Sequence, residues 1–206
     1  MSSASRSGLL ITLEPMALAT TVSHRDRMLA AAADFTAEHG WAALTMAKLA
    51  DMVGVSRQTV YNEIGGKPQL AEAMVMRELE QFLALVESAF LDHPDDLVQA
   101  IEAAAARVLE SARTDPLLHA VLSSSQGADS ELLPLFTTNS AALLSTAGQM
   151  VRAHVASYDV GLDDERLEVL IDMVVRLVLS HVMQPHGGPR ETAQTIAWIA
   201  ARVLAA

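Results

Sequence analysis

Between Thr45 and Ile64 the sequence reads TMAKLADMVGVSRQTVYNEI, two short stretches of helical periodicity hinged on one glycine. Met46, Leu49, Ala50 and Val53 recur at i, i+3, i+4 and i+7, which gives the first stretch a single apolar stripe. Thr45 is a natural N-cap for it, and Gly54 is its stop. Ser56 caps the second stretch, Arg57 to Ile64, after a tight turn. This is the plan either of a helix-turn-helix, whose first helix braces a second that enters a major groove, or of an ordinary turn between core helices with Tyr61 as partial core. At about 100° per residue, Val60 and Ile64 fall together as the buried stripe. Gln58, Thr59 and Asn62 then point largely outward, Tyr61 lies on the flank, and Arg57 occupies the first turn.

Those outward residue types suit a duplex better than a merely solvated face. Asn62 and Gln58 can bond adenine edges, Arg57 can bond guanine, and the Thr59 methyl can meet a thymine methyl. Tyr61 can offer its hydroxyl to a phosphate. Thr45, Ser56 and Lys67 stand at helix starts, where free backbone N–H groups favour phosphate, and Lys48 lies on the exposed side of the bracing helix.

The rest of the chain predicts more helices. Aromatics are 4% of the sequence, and the abundance of Ala, Leu and Val favours helices over a sandwich or barrel. Stops at Gly40, Gly65-Gly66, His93-Pro94, Asp115-Pro116, Gln126-Gly127, Gly161 and Pro185 to Pro189 divide it into about nine helices. The expected fold is all-α: an N-terminal three-helix domain at 23–67, then a helical bundle at 68–206 for ligand binding and dimerisation. Residues 1–22 read as a leader, flexible or packed as an extra helix.

Charge supports the same division. The chain carries a net −11, yet Ser23 to Lys67 balances five basic against five acidic residues. The remainder, from Pro68 onward, sets eight arginines against nineteen acids. A neutral module joined to an acidic one permits local phosphate contact while repelling nucleic acid elsewhere. With 0 cysteines, a disulfide scaffold, a thiolate metal site and a cysteine nucleophile are all excluded. The seven histidines show no metal spacing, no nucleophile elbow or phosphate-cradling glycine loop is present, and no enzyme, metal or cofactor is expected. No stretch is apolar enough for a membrane span, so the expected location is the cytoplasm.

From Ser23 to about Leu79 the chain resembles the N-terminal domain of TetR-family transcriptional regulators. The residues carrying the likeness are the opening helix with Phe35, the GWAALTM stretch, the LADMVGVSRQTVYNEIGGK run and the following helix with Leu70. Ile64 stands where that family commonly has Phe. The resemblance implies an all-helical homodimer that binds a palindromic double-stranded DNA operator, usually as a repressor released by a small ligand. It implies DNA contacts at Thr45, Lys48, Ser56, Arg57, Gln58, Thr59, Tyr61, Asn62 and Lys67.

Two expectations concern the bundle. Leu170, Met173, Val174, Leu177 and His181 form one helical stripe, and Ile196, Ile199 and Val203 form another on the last helix, with Trp198 beside them. They read either as a thick monomer core or as a four-helix dimer interface; the second sets two recognition helices roughly 34–36 Å apart. Met74, Met76, Phe82, Phe90, Phe136 and Met150 are candidates to line an apolar cavity for a hydrophobic effector such as an acyl chain or another lipophile. The rival reading is a helical small-molecule carrier that never touches DNA.

Overall fold

The computed structural model describes residues 23–123 and 141–205. The expectations for 1–22, for Phe136 and for the break at Gln126-Gly127 lie outside the described residues. Among the described residues the protein is all-α, with nine α-helices and one short 3-10 turn, Trp41–Ala43. We number them α1 (His24–His39), α2 (Met46–Val53), α3 (Arg57–Glu63), α4 (Lys67–Asp92), α5 (Leu97–Ala112), α6 (Pro116–Ser123), α7 (Ala141–Val155), α8 (Asp164–Met183) and α9 (Pro189–Leu204).

Local chemistry sets the helix ends. Ser23 Oγ accepts the Asp26 N–H (3.0 Å) and Asp26 Oδ2 accepts the Ser23 N–H (3.3 Å), a reciprocal box that starts α1. Thr45, Ser56 and Asp163 cap α2, α3 and α8 with their side-chain oxygens. After the break at His93-Pro94 the next helix begins at Leu97, because Asp96 Oδ1 accepts the Gln99 N–H at 3.0 Å and fixes the start there. An aspartate cap satisfies an otherwise orphaned N–H, which proline at a first turn does not.

The buried residues form two clusters. One joins α1, α2 and α3 to the first half of α4 through Met28, Leu49, Val60, Leu70 and Met74, and continues into Val108, Leu118, Leu143 and Val182. The other joins the far end of α4 to α5, α8 and α9 through Phe90, Ile101, Leu170, Ile171 and Ile196. Helix α4 serves both; its 26 residues span about 39 Å. Helix α9 packs along α5, and the contact is built on alanine: Ala100, Ala193 and Ala200 are each 0% exposed. Side chains this small let two helix axes approach closely. Helix α6 packs on α1, so the first three helices touch the bundle at a second place besides α4. No helix among the described residues is long and apolar enough to cross a membrane.

Candidate nucleic-acid interface and effector cavity

The turn between α2 and α3 depends on Gly54, whose φ of 74° and ψ of 38° put it in the left-handed region. Its N–H and that of Val55 both donate to the Ala50 carbonyl at 3.0 Å, closing the end of α2. Nothing lies within 4 Å of the place a Cβ would occupy, so the requirement for glycine is conformational rather than steric.

On α3 the expected facing holds. Val60 is 0% exposed and Ile64 7%, whereas Tyr61 is 52% exposed. Arg57, Gln58 and Asn62 are exposed as well. Gln58 Nε2 donates to Asn62 Oδ1 at 2.8 Å, one turn apart, which aligns two amides along the outer face. The side chains of Arg57 and Tyr61 make no hydrogen bond, ion pair or ring contact with the described residues, leaving their donors available. Thr59 departs from the expectation. It is half-buried, and its hydroxyl lies 2.8 Å from Ser56 Oγ, which also accepts the Thr59 N–H at 3.0 Å.

The flanking cations are more tethered than the sequence suggested. Lys67 Nζ donates to the Trp41 carbonyl (3.0 Å) and sits 4.7 Å from the Trp41 ring centre. Lys48, although exposed, places Nζ 4.5 Å from the Phe35 ring centre. Both ammonium groups therefore also hold the DNA-side helices together. Thr45 Oγ1 accepts the Lys48 N–H at 3.2 Å, so its oxygen is engaged as a cap.

Sequence reasoning missed Arg25 and Arg27. Arg25 Nη1 donates to the Glu63 carbonyl (2.7 Å) and Arg27 Nη2 to the Val53 carbonyl (3.3 Å). Two guanidinium groups on α1 thus sit at the C-terminal ends of α3 and α2, where orphaned carbonyls and the negative helix end favour a cation. The available signal was the pair of arginines two apart on one helix beside a helix-turn-helix.

Along α8 and α9 the predicted stripe divides between three environments. Leu170 (6% exposed) and Ile196 (2%) lie in the protomer's own core and offer no surface to another chain. Val174 borders an internal cavity, Leu177 is half-buried, and His181 Nδ1 lies 2.8 Å from the Leu177 carbonyl. Ile199 is half-buried. The outward apolar surface keeps Met173 (53%) and Val203 (38%) of that stripe, with Trp198 (59%) beside it and Val169 (60%) from another face of the helix. A helix apolar on every side leaves these roles undivided in the sequence.

The cavity lies between α4, α5, α7 and α8 and has a volume of about 140 Å3. Phe82 and Phe90 border it as expected; Met74, Met76 and Met150 do not. Met74 is instead 1% exposed in the DNA-side core. Every described residue around the cavity is Ala, Val, Leu, Ile or Phe, so none offers a hydrogen bond from its side chain. Four of them, Val75, Val108, Leu143 and Val182, also belong to the buried cluster that holds α1, α2 and α3.

Comparison with known proteins agrees with this arrangement. Residues 28–74 match the signature of bacterial regulatory proteins of the tetR family, and residues 96–202 match that of the bacterial tetracyclin repressor C-terminal domain. The chain is 28% identical over 183 residues to the HTH-type transcriptional regulator AlkX of Mycobacterium tuberculosis, covering 89% of this chain and 86% of that one. The crystal structure of the TetR family repressor AlkX from Dietzia sp., implicated in biodegradation of n-alkanes, superposes with a TM-score of 0.73 at 23% identity, covering 89% and 96%. The R. erythropolis repressor QsdR gives a TM-score of 0.56 at 18% identity, covering 88% and 94%. With both halves matched in their proper order, the chain belongs to the TetR family of bacterial transcriptional regulators.

Proposed function

We propose that this regulator binds a palindromic operator as a homodimer, represses from it, and is released by a neutral hydrocarbon. The observation that carries the DNA reading is the facing of α3: Val60 and Ile64 anchor one side while Arg57, Gln58, Tyr61 and Asn62 stand outward on the other. Thr45, Lys48, Ser56, Thr59 and Lys67 would support those contacts from the helix starts and flanks. Residues 23–67 form the reading module and 68–206 the sensing and pairing part, with α4 shared by both. No catalysis is proposed, and the place of action is the cytoplasm.

The effector reading rests on the cavity's chemistry. A carboxylate placed among hydrocarbon side chains would be desolvated without a partner, at a cost of several kcal/mol. An uncharged alkyl ligand meets no such cost. A hydrocarbon in the cavity would add dispersion contacts with this lining. The Dietzia AlkX, implicated in n-alkane biodegradation, is a fold neighbour that points the same way.

Release needs a ligand that prefers one state of the protein, with a coupling of about 1–3 kcal/mol. The shared residues Val75, Val108, Leu143 and Val182 supply a physical route, since a ligand pressing on the cavity wall presses on the core beneath α1, α2 and α3. The test is fluorescence anisotropy with a duplex from the protein's own upstream region, titrated with a linear alkane and with the matching fatty acid. Sequence-selective binding reversed by the alkane supports the reading. Alkane binding without any DNA binding up to micromolar protein would support the carrier instead.

A further inference from the structure

Helices α1, α4 and α6 border a second cavity of about 220 Å3, where the DNA-side helices meet the bundle away from the effector cavity. Its walls differ in kind. Helix α1 contributes Asp34 and alanines, α4 contributes Arg77, Glu78 and Gln81, and the start of α6 contributes Asp115, Pro116 and Leu117. Glu78 is 6% exposed, one of two buried polar or charged residues among those described. Asp115 lines the same cavity, is half-buried, and caps α6 by accepting the Leu118 N–H at 2.7 Å. Gln81 Nε2 donates to Glu78 Oε1 at 3.2 Å.

The charged groups around Glu78 are therefore Asp115 from α6, Asp34 from α1 and Arg77 from α4 itself. Two carboxyls on one cavity, one of them buried, hold together when a proton lies between them and repel when both are ionised. We propose that this junction is a proton-operated latch: a proton shared by Glu78 and Asp115 keeps α6 seated on α1 and α4, and its loss loosens the DNA-side helices from the bundle. The released proton goes to water. The regulator thereby responds to pH through a site separate from its effector cavity.

Titration of Glu78 falls in the range where such a latch would operate. Burial, then the hydrogen bond and charge of Asp115, push its carboxyl from 4.5 to about 7, against the opposing pull of Arg77 and Gln81. Because the folded state holds this proton more tightly than the unfolded chain, the latch stabilises the protein most at acid pH. That contribution fades as pH rises through about 7.

The inference rests on the DNA-binding reading only for its functional consequence, so the experiment has two arms. In the first, 13C NMR follows the Glu78 carboxyl in the full-length protein alongside thermal unfolding as a function of pH. A titration midpoint near 7 is expected, together with a midpoint of unfolding that falls more steeply on alkalinisation in the wild type than in Glu78→Gln. A carboxyl titrating near 4.5 would overturn the latch. In the second, operator affinity at fixed salt is compared between about pH 6 and pH 8, with an expected loss about tenfold larger for the wild type than for Glu78→Gln. Asp115→Asn keeps an N-cap and should move the transition to lower pH. Superimposable pH profiles for wild type and Glu78→Gln would overturn the regulatory role. Failure of every protein to bind DNA would sink the operator reading while the first arm still decides the latch.

Discussion

Arg25 Nη1 donates to the Glu63 backbone carbonyl at 2.7 Å, tying the first turn of α1 to the last turn of the recognition helix. Arg27 does the same for α2 through the Val53 carbonyl at 3.3 Å. A short helix cannot hold its own orientation, and the Arg25 bond fixes α3 from the end opposite its Ser56 cap. Arg25→Gln should therefore weaken operator binding roughly tenfold while lowering stability by only about 1 kcal/mol. Anisotropy and thermal unfolding on the same preparation check this; unchanged affinity would make the bond incidental.

Arg57 and Tyr61 stand outward with no partner among the described residues. Arg57→Ala and Tyr61→Ala should each abolish sequence-selective binding and shift stability by no more than about 0.5 kcal/mol, as expected for surface positions. Denaturant unfolding beside the binding assay separates the effects. Loss of folding in either variant would reassign that side chain to the core.

Lys67 tests how much charge remains for DNA once Trp41 has engaged it. Lys67→Ala should lower the slope of log affinity against log salt by about one and weaken specific and non-specific DNA alike. A salt titration gives the slope directly, and an unchanged slope would confine Lys67 to holding α4 against Trp41.

On the bundle, Met173 and Trp198 are exposed, and Arg202 lies 5.7 Å from the Trp198 ring. We propose that the homodimer contact runs through this outward surface, where an introduced charge would be left desolvated and unpaired. Trp198→Glu should yield monomers by sedimentation velocity with the helical signal intact. A dimer persisting in both Trp198→Glu and Met173→Glu would move the interface elsewhere.

Within the cavity, Ala147 offers a methyl where a ring would occupy the space. Ala147→Phe should retain operator binding but lose release by alkane, at a cost of at most about 1–3 kcal/mol for overpacking. Isothermal titration with the alkane checks the loss; full release by the variant would place the effector outside this cavity.

Much of the DNA-side half was legible because its determinants are local. Thr45, Ser56 and Gly54 act on backbone groups a few residues away, and Val60 and Ile64 follow from helical spacing alone. Arg25 was not legible, since its acceptor lies 38 residues along the chain and a carbonyl leaves no mark in the sequence. The stripe on α8 shows the limit of periodicity. Leu170 and Met173 lie on adjoining parts of one apolar helix, yet one is in the core and the other faces outward. Only the neighbouring helices decide between them. Glu78 was equally silent, because nothing in a charge pattern says that a glutamate on a long helix will meet Asp115 at a junction.

The most direct test is a footprint and affinity measurement on the protein's own upstream DNA with wild type, Asn62→Ala and Arg57→Ala side by side. A protected palindrome with two half-sites about one helical turn apart is expected. Wild-type binding should be about 10 nM or tighter and be lost in both variants. Protection without twofold symmetry, or wild-type affinity retained by both variants, would contradict it.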